Sequence, residues 1–415
     1  MYEIFGSQTK IRYTFFIGKH QMKTTIKSLS SSEAAPIFNW LLSYAFTSTP
    51  PVGEAEKFAE RNRHVEGYTN FVVLYEGDTP SASAAAGPMT QNIRGGLVDM
   101  AGVFMVVSHP SQRHKGYSFK LLSELLKQMR ERGNGFTCLY PFRESFYERL
   151  GYANLPGMIK AEINIHALKP LLKHTFQTKL ELAEFIQQPQ RYYDSVKRFQ
   201  QHTHGMATFK KNYPPDPERH KAWVLTSERD GQPDGMLVYH LQGESPTQFK
   251  FNATRFYSLS SETRYHFLEW IARHIDQANE VNINLPAFEQ PAGWYSDLKV
   301  KISTHGLAPM GRVLDIEKLN GLNAGEGSFS VRIIDPTCAW NEGSWRFEGQ
   351  SGKLSVSRTK QAEDHLAIQG LSALVYGCIP PSRFKFRGWG AFSADVEHSM
   401  QSLFPPAIPY LHEYF

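Results

Sequence analysis

Residues 103–122 read VFMVVSHPSQRHKGYSFKLL, and this stretch decides the fold of the first part of the chain. An apolar strand ends near Val107, a basic loop that contains Gly116 follows, and a helical pattern begins directly after the loop. The first N–H groups of a helix lack internal partners and carry partial positive charge, so a phosphate can bind there. The stretch therefore indicates a phosphorylated ligand at the end of a strand.

The helix that follows the loop carries an apolar stripe. Positions i, i+3, i+4 and i+7 are Leu122, Leu125, Leu126 and Met129. The stripe predicts that the helix packs on a sheet and that its first turn is fixed at the strand end, where Arg113 and Lys115 add positive charge. The loop alone leaves two interpretations open, a phosphate site and a solvated basic turn.

The composition predicts a folded protein with large cores. The chain has 415 residues, 41% of them hydrophobic, and this length is typical of two or three domains. Its 45 basic and 40 acidic residues leave a net charge of only +5. This small surplus on a mixed surface does not indicate a nucleic-acid partner.

The spacing of the cysteines and the hydropathy of the chain indicate the cellular compartment. The three cysteines, Cys138, Cys338 and Cys378, lie far apart without C-x-x-C spacing, which favours a reducing cytoplasm. No apolar run approaches the roughly 20 residues needed to cross a bilayer, so no membrane is expected. Residues 1–21 precede a second methionine, Met22, and lack clear periodicity. We interpret them as an N-terminal extension, native or added.

The spacing of turn residues along the chain predicts three blocks, each with both helices and strands. Strand-like runs lie at residues 71–75, 102–107, 136–140, 222–226, 236–241, 329–335, 345–349 and 354–358. Helical patterns lie at residues 263–278 and 394–404. The turn-rich residues 212–217 interrupt the middle of the chain, and prolines extend the tail towards Phe415.

The loop at residues 113–118 does not match the phosphate-binding motifs of ATP or NAD sites. G-x-x-x-x-G-K-[ST] is absent, and no G-x-G-x-x-G follows a strand. Instead, the spacing Arg113-x-x-Gly116-x-Ser118 resembles the acyl-CoA pyrophosphate loop of the GNAT N-acetyltransferases, R-x-x-G-x-G/A. Ser118 departs from that pattern, although its small side chain still permits close approach of a phosphate.

The resemblance extends far beyond the loop. Residues 141–152 read PFRESFYERLGY, which looks like the F-Y-x-x-[FL]-G-[YF] ending of GNAT domains. With MGRVLD at 310–315 and DPTCAWNEG at 335–343, the chain from Met22 onwards resembles the Eis (enhanced intracellular survival) family. This resemblance implies an α+β fold with tandem GNAT folds, each a mixed central sheet flanked by helices. It also implies an SCP2-like (sterol-carrier-protein-like) α/β C-terminal domain.

Domain boundaries follow from that resemblance. We expect a catalytic GNAT domain at residues 22–168 and a second, GNAT-like domain at residues 169–312. The second domain has no R-x-x-G-x-G/A loop after an apolar strand, so we expect it to lack a CoA site and to form one wall of the substrate cleft. Residues 313–415 are expected to form the sterol-carrier-protein-like domain.

Acetyl transfer to an amine needs a base for the amine and an acid for the departing thiolate. Tyr147 matches the family's acid, because a phenol with a pKa of about 10 stays protonated and can donate to sulfur. Phe415 matches the terminal residue whose α-carboxylate, with a pKa of about 3.5, enters the active site as the base; Glu413 is an alternative. From the sequence alone, Tyr147 would be interpreted as a tyrosine buried in the core. Phe415 would be interpreted as part of a frayed, solvent-exposed terminus.

The resemblance also implies acetyl-CoA as the co-substrate and no metal. Val106 and Ser108 match the strand end whose backbone pairs with the pantetheine arm. The matches to the pyrophosphate loop are Arg113, His114, Lys115, Gly116, Tyr117 and Ser118. His114 replaces a residue that is often basic in the family, and Phe142 replaces a small polar one. His202 and His204 lack a third ligand with useful spacing, so we interpret them as solvated or hydrogen-bonded.

Two functions are compatible with the sequence. The first is direct acetyl transfer to a primary amine in a ternary complex. The resemblance implies acceptors that are aminoglycoside-like or polyamine molecules or protein lysines, and an enzyme that forms hexamers. The second is a non-catalytic CoA- or lipid-binding module derived from an acetyltransferase. The intact set of Arg113, Gly116, Tyr147 and Phe415 favours the enzyme.

Overall fold

The structure is a computed structural model. It describes residues 23–47, 54–62, 67–212, 220–243, 247–360 and 362–415, with the isolated positions 215, 217 and 245. The expected extension at residues 1–21 and half of the turn-rich segment at 212–217 lie outside the described residues. Within the described ranges, no helix combines the length and apolar character needed to cross a bilayer.

The described residues form helices and strands in a mixed order. The helices are α1 (Ser31–Leu42), α2 (Ala55–Asn62), α3 (Tyr117–Glu131), α4 (Glu144–Glu148), α5 (Pro189–His202), α6 (Ser261–Ala272), α7 (Ile368–Tyr376), α8 (Phe384–Arg387) and α9 (Ala394–Leu403). The strands of the first half are β1 (Thr24–Leu29), β2 (Asn70–Glu76), β3 (Thr79–Ile93), β4 (Gly96–Ser108), β5 (Phe136–Leu139), β6 (Ala153–Asn154), β7 (Met158–Ile163), β8 (Lys179–Glu184) and β9 (Ala207–Phe209). Those of the second half are β10 (Trp223–Arg229), β11 (Gln232–Gly243), β12 (Phe249–Ser258), β13 (Ala278–Leu285), β14 (Lys301–His305), β15 (Met310–Val313), β16 (Ser328–Ile334), β17 (Gly343–Gln350), β18 (Lys353–Arg358) and β19 (His365–Ala367).

The first sheet has the strand order β1-β2-β3-β4-β5-β15-β6, and β9 also pairs with β3. Its neighbours are antiparallel except β4 and β5, which are parallel and are connected through α3. The predicted apolar stripe of α3 is confirmed, because its four residues are all buried: Leu122, Leu125, Leu126 and Met129. The helix is thereby held on the sheet with its first turn at the end of β4.

The second sheet repeats this plan. Its order is β8-β10-β11-β12-β13-β7-β14, again with a single parallel pair, β12 and β13, connected through α6. The predicted tandem arrangement is thus confirmed at the level of strand order. The helical pattern at residues 263–278 is longer than α6, which ends at Ala272, because Ala278 already pairs with Phe249 at the start of β13.

Each of these two sheets takes a strand from beyond the boundary that we expect from sequence. β7 precedes residue 168 yet pairs with β13, and β15 precedes residue 313 for most of its length yet pairs with β5 and β6. Strand pairing is satisfied by partners distant in sequence, so a linear boundary does not describe the two domains. The exchange ties the first and second domains together.

The third domain has a four-stranded sheet in the order β18-β17-β16-β19, with α7 and α9 packed nearby. Its apolar core is continuous with the face of the first sheet that lies opposite α3. This shared core includes Met89, Met100 and Phe136 of the first sheet and Trp345 and Phe347 of the third domain. The apolar side of the third domain is therefore covered by the first domain.

A buried ion pair joins β15 to the third domain. Arg312 and Asp335 are almost completely inaccessible, and the Arg312 Nη2 donates to Asp335 Oδ2 at 2.5 Å. Arg312 also donates to the Leu150 carbonyl, while Asp335 accepts from Asn341 at 2.9 Å. Losing one member of such a pair leaves a buried charge without compensation.

Asp335→Asn keeps the side-chain shape but leaves the Arg312 charge unpaired, so we expect a destabilisation of about 3 kcal/mol or more. The matched control, Glu348→Gln, breaks the exposed Arg346–Glu348 pair and should cost less than about 1 kcal/mol. Thermal unfolding of both variants measures the difference. A midpoint for Asp335→Asn equal to that of the control would contradict this role.

Candidate active site

The end of β4 leaves part of its backbone open. β4 pairs with β5 only from Met100 to Val103, whereas its other edge stays paired with β3 as far as Ser108. A bulge interrupts the β3 pairing at Met105, which has a φ of 56°. The edge of residues 104–108 on the side of β5 therefore has no strand partner among the described residues. Val106 and Ser108 lie on this open edge.

The loop after β4 forms an exposed helix N-terminus. Gly116 precedes α3 with a left-handed φ of 79°, and no described side chain caps the helix there. A Cβ at Gly116 would meet no described atom within 4 Å, so these residues leave the space over the first turn open. Uncapped N–H groups beside open space are the requirement for binding an anion.

Two sets of side-chain hydrogen bonds fix this loop to the sheet. The hydroxyls of Ser108 and Ser118 are 2.5 Å apart and connect the strand end to the first turn of α3. Glu76, at the end of β2, accepts hydrogen bonds from Lys115 at 2.8 Å and from the Tyr117 hydroxyl. These bonds hold the pKa of the Glu76 carboxyl below its usual value. Lys115 and Tyr117 thus orient the loop through Glu76, a residue that no motif indicates.

Arg113 and His114 lie on the exposed side of the loop. The Arg113 guanidinium is 5.8 Å from the centre of the Tyr44 ring. Tyr44 stacks on Trp40 at 5.8 Å, and Trp40 stacks on His109 at 5.0 Å. This column of rings places α1 beside the loop.

Tyr147 lies on α4 in an aromatic environment. Its ring is 5.0 Å from Phe146, 5.5 Å from Phe142 and 6.1 Å from Tyr152. Only 3% of Tyr147 is exposed, and burial raises the pKa of its phenol. Phe142 itself is 69% exposed.

The C-terminal tail is held between the first two domains. The Tyr410 N–H donates to the His204 carbonyl at 2.9 Å. The Tyr257 hydroxyl is 2.6 Å from that of Tyr410 and 2.8 Å from His412 Nδ1, and Tyr192 is 3.1 Å from His412 Nε2. Burial lowers the pKa of His412 well below its usual value, so the ring is neutral. The tail is ordered by side chains of the second domain.

Phe415 reaches the centre of the first sheet. Its ring lies 5.7 Å from Tyr140, 6.1 Å from Phe209 and 6.4 Å from Phe104. A Cβ on Gly102 would approach the Phe415 ring to 2.8 Å, so a glycine is needed under this ring. Phe415 therefore sits where β4 and β5 separate.

Phe415 and Tyr147 approach the end of β5 from different sides. Tyr140, directly after β5, contacts Phe415, and its hydroxyl donates to the Glu413 carbonyl at 3.0 Å. Phe142, two residues further on, contacts Tyr147. No hydrogen bond or ring contact joins Tyr147 to Phe415 among the described residues, so the segment after β5 lies between them.

A cavity of about 1500 Å³ opens between the first two domains beside Phe415. Its walls come from α1, α2, β9 and the bulge of β4 on one side and from α5, β11, β12 and Phe185, which directly follows β8, on the other. Glu413, Tyr414 and Phe415 also line it. One cavity is thus lined by the second domain and by the chain terminus.

Among the described residues of the second domain, the helix start that corresponds to that of α3 does not suit an anion. The helix that corresponds to α3 is α6, and its Ser260 side chain accepts from the Thr263 N–H at 3.2 Å. Asp234 accepts from the hydroxyls of Ser260 and Thr263, both at 2.5 Å. A capped helix start with a carboxylate beside it repels a second anion.

His202 and His204, whose spacing could suggest a metal site, do not form one among the described residues. His204 accepts from the Arg94 N–H through Nδ1 at 3.0 Å, and its Nε2 is 2.9 Å from the Tyr376 carbonyl. Burial lowers its pKa to about 4. Within the described ranges, no group of three or more acidic, histidine or cysteine side chains is arranged to hold a metal ion.

Comparison with protein families identifies two domains. The acetyltransferase (GNAT) domain family matches residues 25–155, and the sterol carrier protein domain family matches residues 316–412. No curated protein matches the chain.

Solved structures resemble the whole fold. A GCN5-related N-acetyltransferase from Anabaena variabilis has a TM-score of 0.81 at 18% identity, and a probable N-acyltransferase of unknown function from Enterococcus faecalis has 0.80 at 18%. Eis1 from Mycobacterium abscessus has 0.73 at 15% identity. Each comparison covers 95% of this chain and 100% of the other. The chain thus has an acetyltransferase (GNAT) domain and a sterol carrier protein domain, in a fold that it shares along nearly its whole length with these solved structures.

Proposed function

We propose that the protein transfers acetyl from acetyl-CoA to a primary amine in a ternary complex. The observation that carries this proposal is the shared position of an open α3 N-terminus, an unpaired β4 edge and the chain terminus around one end of the first sheet. The acceptors implied by the family resemblance are aminoglycoside-like or polyamine molecules, or protein lysines. Measuring CoA release with a panel of amines tests the proposal.

The first part of the site suits acetyl-CoA. The N–H groups at the start of α3 would hold the pyrophosphate, with Arg113 and His114 on the exposed side of the loop. The open β4 edge at Val106 and Ser108 would pair with the amides of the pantetheine arm. The thioester would then lie near the point where β4 and β5 separate.

The transfer step needs one acid and one base. The amine nitrogen attacks the thioester carbon, a C–N bond forms, and the C–S bond breaks to release a thiolate. Tyr147 would donate a proton to that sulfur. Because burial raises its pKa, the phenol stays protonated across neutral and mildly alkaline pH. The α-carboxylate of Phe415 would accept the proton that the amine loses.

Direct transfer is favoured over an acyl-enzyme route. Cys138 and Cys338 are buried, and none of the three cysteines is among the described residues that line the cavity. Burial also raises the pKa of all three thiols, which disfavours the nucleophilic thiolate.

The alternative, a non-catalytic CoA- or lipid-binding module, has less support. The apolar side of the third domain packs on the first sheet in one continuous core, which leaves this surface unavailable to a lipid. A homohexamer, implied by the family resemblance, and a cytoplasmic location, favoured by the cysteine usage, stay predictions.

Tyr147→Phe removes the proposed acid while keeping the ring. We expect kcat to fall about 100-fold, because a positioned proton donor contributes about that much, while the Kd for acetyl-CoA is unchanged. Tyr68→Phe, on an exposed tyrosine, is the control. Steady-state kinetics and calorimetry measure the two quantities. Wild-type kcat in the Tyr147 variant would remove this residue from the proposed role.

Gly116→Ala tests the pyrophosphate loop. The new methyl group would force a left-handed alanine and crowd the approach to the helix start, so we expect the Kd for acetyl-CoA to rise about tenfold. Gly133→Ala is a matched control, because Gly133 follows the same helix, has a φ of 88° and is equally open. Calorimetric titration compares them. Equal affinities would place the cofactor phosphates elsewhere.

A further inference from the structure

Arg94 lies at the tip of the long β3–β4 hairpin, in a backbone conformation that arginine rarely adopts. Ile93 pairs with Gly96, so the turn consists of Arg94 and Gly95, whose φ values are 49° and 82°. A turn with two left-handed residues favours asparagine, aspartate or glycine at its first position. The exception indicates a role for the arginine side chain, because the backbone conformation itself is unfavourable for it.

The Arg94 side chain joins the hairpin to the start of the C-terminal tail. Its Nε donates to the Val375 carbonyl at 2.8 Å, and its Nη2 donates to the carbonyls of Leu374 and Pro405, both at 2.9 Å. Leu374 and Val375 lie in the last turn of α7, where a cation is favourable. The guanidinium also lies 5.4 Å from the centre of the Phe404 ring. One side chain thus ties the chain just after α9 to the first domain.

The hairpin tip also fixes the tail further along, through the segment that follows α5. The Arg94 N–H donates to His204 Nδ1 at 3.0 Å, and the Asn92 carbonyl accepts from the Gly205 N–H at 2.6 Å. The His204 carbonyl in turn accepts from the Tyr410 N–H at 2.9 Å. A Cβ on Gly205 would approach the Tyr410 nitrogen to 2.7 Å, so the tail packs closely on this segment.

The end of the tail meets the same hairpin. The Phe415 ring lies against Gly102, which belongs to β4. The start and the end of the tail are therefore both positioned against one pair of antiparallel strands. If the tail were released at Pro405, only its later contacts would oppose its motion, and the position of the terminal carboxylate would be less well defined.

We propose that Arg94 is a positioning residue for the Phe415 carboxylate. By fixing the start of the tail to the hairpin that carries Gly102, it sets where the base lies relative to the thioester. This inference rests on the proposed acetyltransferase function and adds to it a residue that acts only through the tail.

Arg94→Asn tests this role without disturbing the turn, because asparagine is favoured at this backbone conformation and its short side chain cannot span the three carbonyls. We expect carboxypeptidase A to release Phe415 about tenfold faster from this variant, since hydrogen bonds from a charged donor no longer hold the tail. Mass spectrometry measures the release well below the unfolding midpoint.

Asp230→Asn is the matched control for this measurement. Asp230 and Gly231 form the turn of the β10–β11 hairpin, with φ values of 53° and 72°, and Asp230 is exposed. Its rate of Phe415 release should equal that of the wild type. An unchanged rate in Arg94→Asn would overturn the positioning role and leave the proposed function standing.

Turnover shows whether Arg94 acts through the terminus. In the full chain, Arg94→Asn should lower kcat about tenfold or more at an unchanged Kd for acetyl-CoA, because a small displacement of a catalytic group is costly. In a chain that ends at Tyr414, the same substitution should lower kcat no further, since the carboxylate is already displaced. Equal losses in both chains would overturn the inference. No CoA release by the wild type with any amine would instead contradict the proposed function, whatever the rate of Phe415 release.

Discussion

Docking of the last residues of the chain against the first sheet is the constraint on which the proposed active site depends. The tail can reach Gly102 only because Tyr257, Tyr192 and the His204 carbonyl hold Tyr410 and His412 between the domains. The third domain brings the tail to this point, and its own position is fixed by the core that it shares with the first sheet. All three domains therefore contribute to one cavity, although the family motifs for cofactor binding lie in the first.

The two similar sheets differ at the one place that decides ligand binding. Both have a parallel strand pair connected through a helix, yet α3 begins at an uncapped glycine and α6 begins at a serine that caps its own helix beside Asp234. Backbone geometry alone would permit an anion at either helix start. The side chains leave only the start of α3 suited to the anion that we propose, and the second domain instead supplies aromatic residues and the partners of the tail.

Local features of the fold could be predicted from sequence, and long-range ones could not. The α3 stripe and the loop at Gly116 follow from spacing, because each depends on neighbouring residues. The exchange of β7 and β15 carries no such signal, since strands of six and four residues do not specify their partners. Glu76 and the cavity tyrosines were also not predicted, because their roles arise only when distant segments meet. The aromatic residue at the terminus, Phe415, indicates that the tail docks on the protein. Its ring contacts Tyr140 and Phe104 of the first domain.

We propose that the chain terminus completes the active site of the first domain. The most direct measurement is the turnover of a chain that ends at Tyr414, compared with the full chain and with one extended by a single glycine after Phe415. Both changes move the terminal carboxylate, so we expect kcat to fall at least about 100-fold in each while the Kd for acetyl-CoA stays the same. Full turnover by either protein would contradict it.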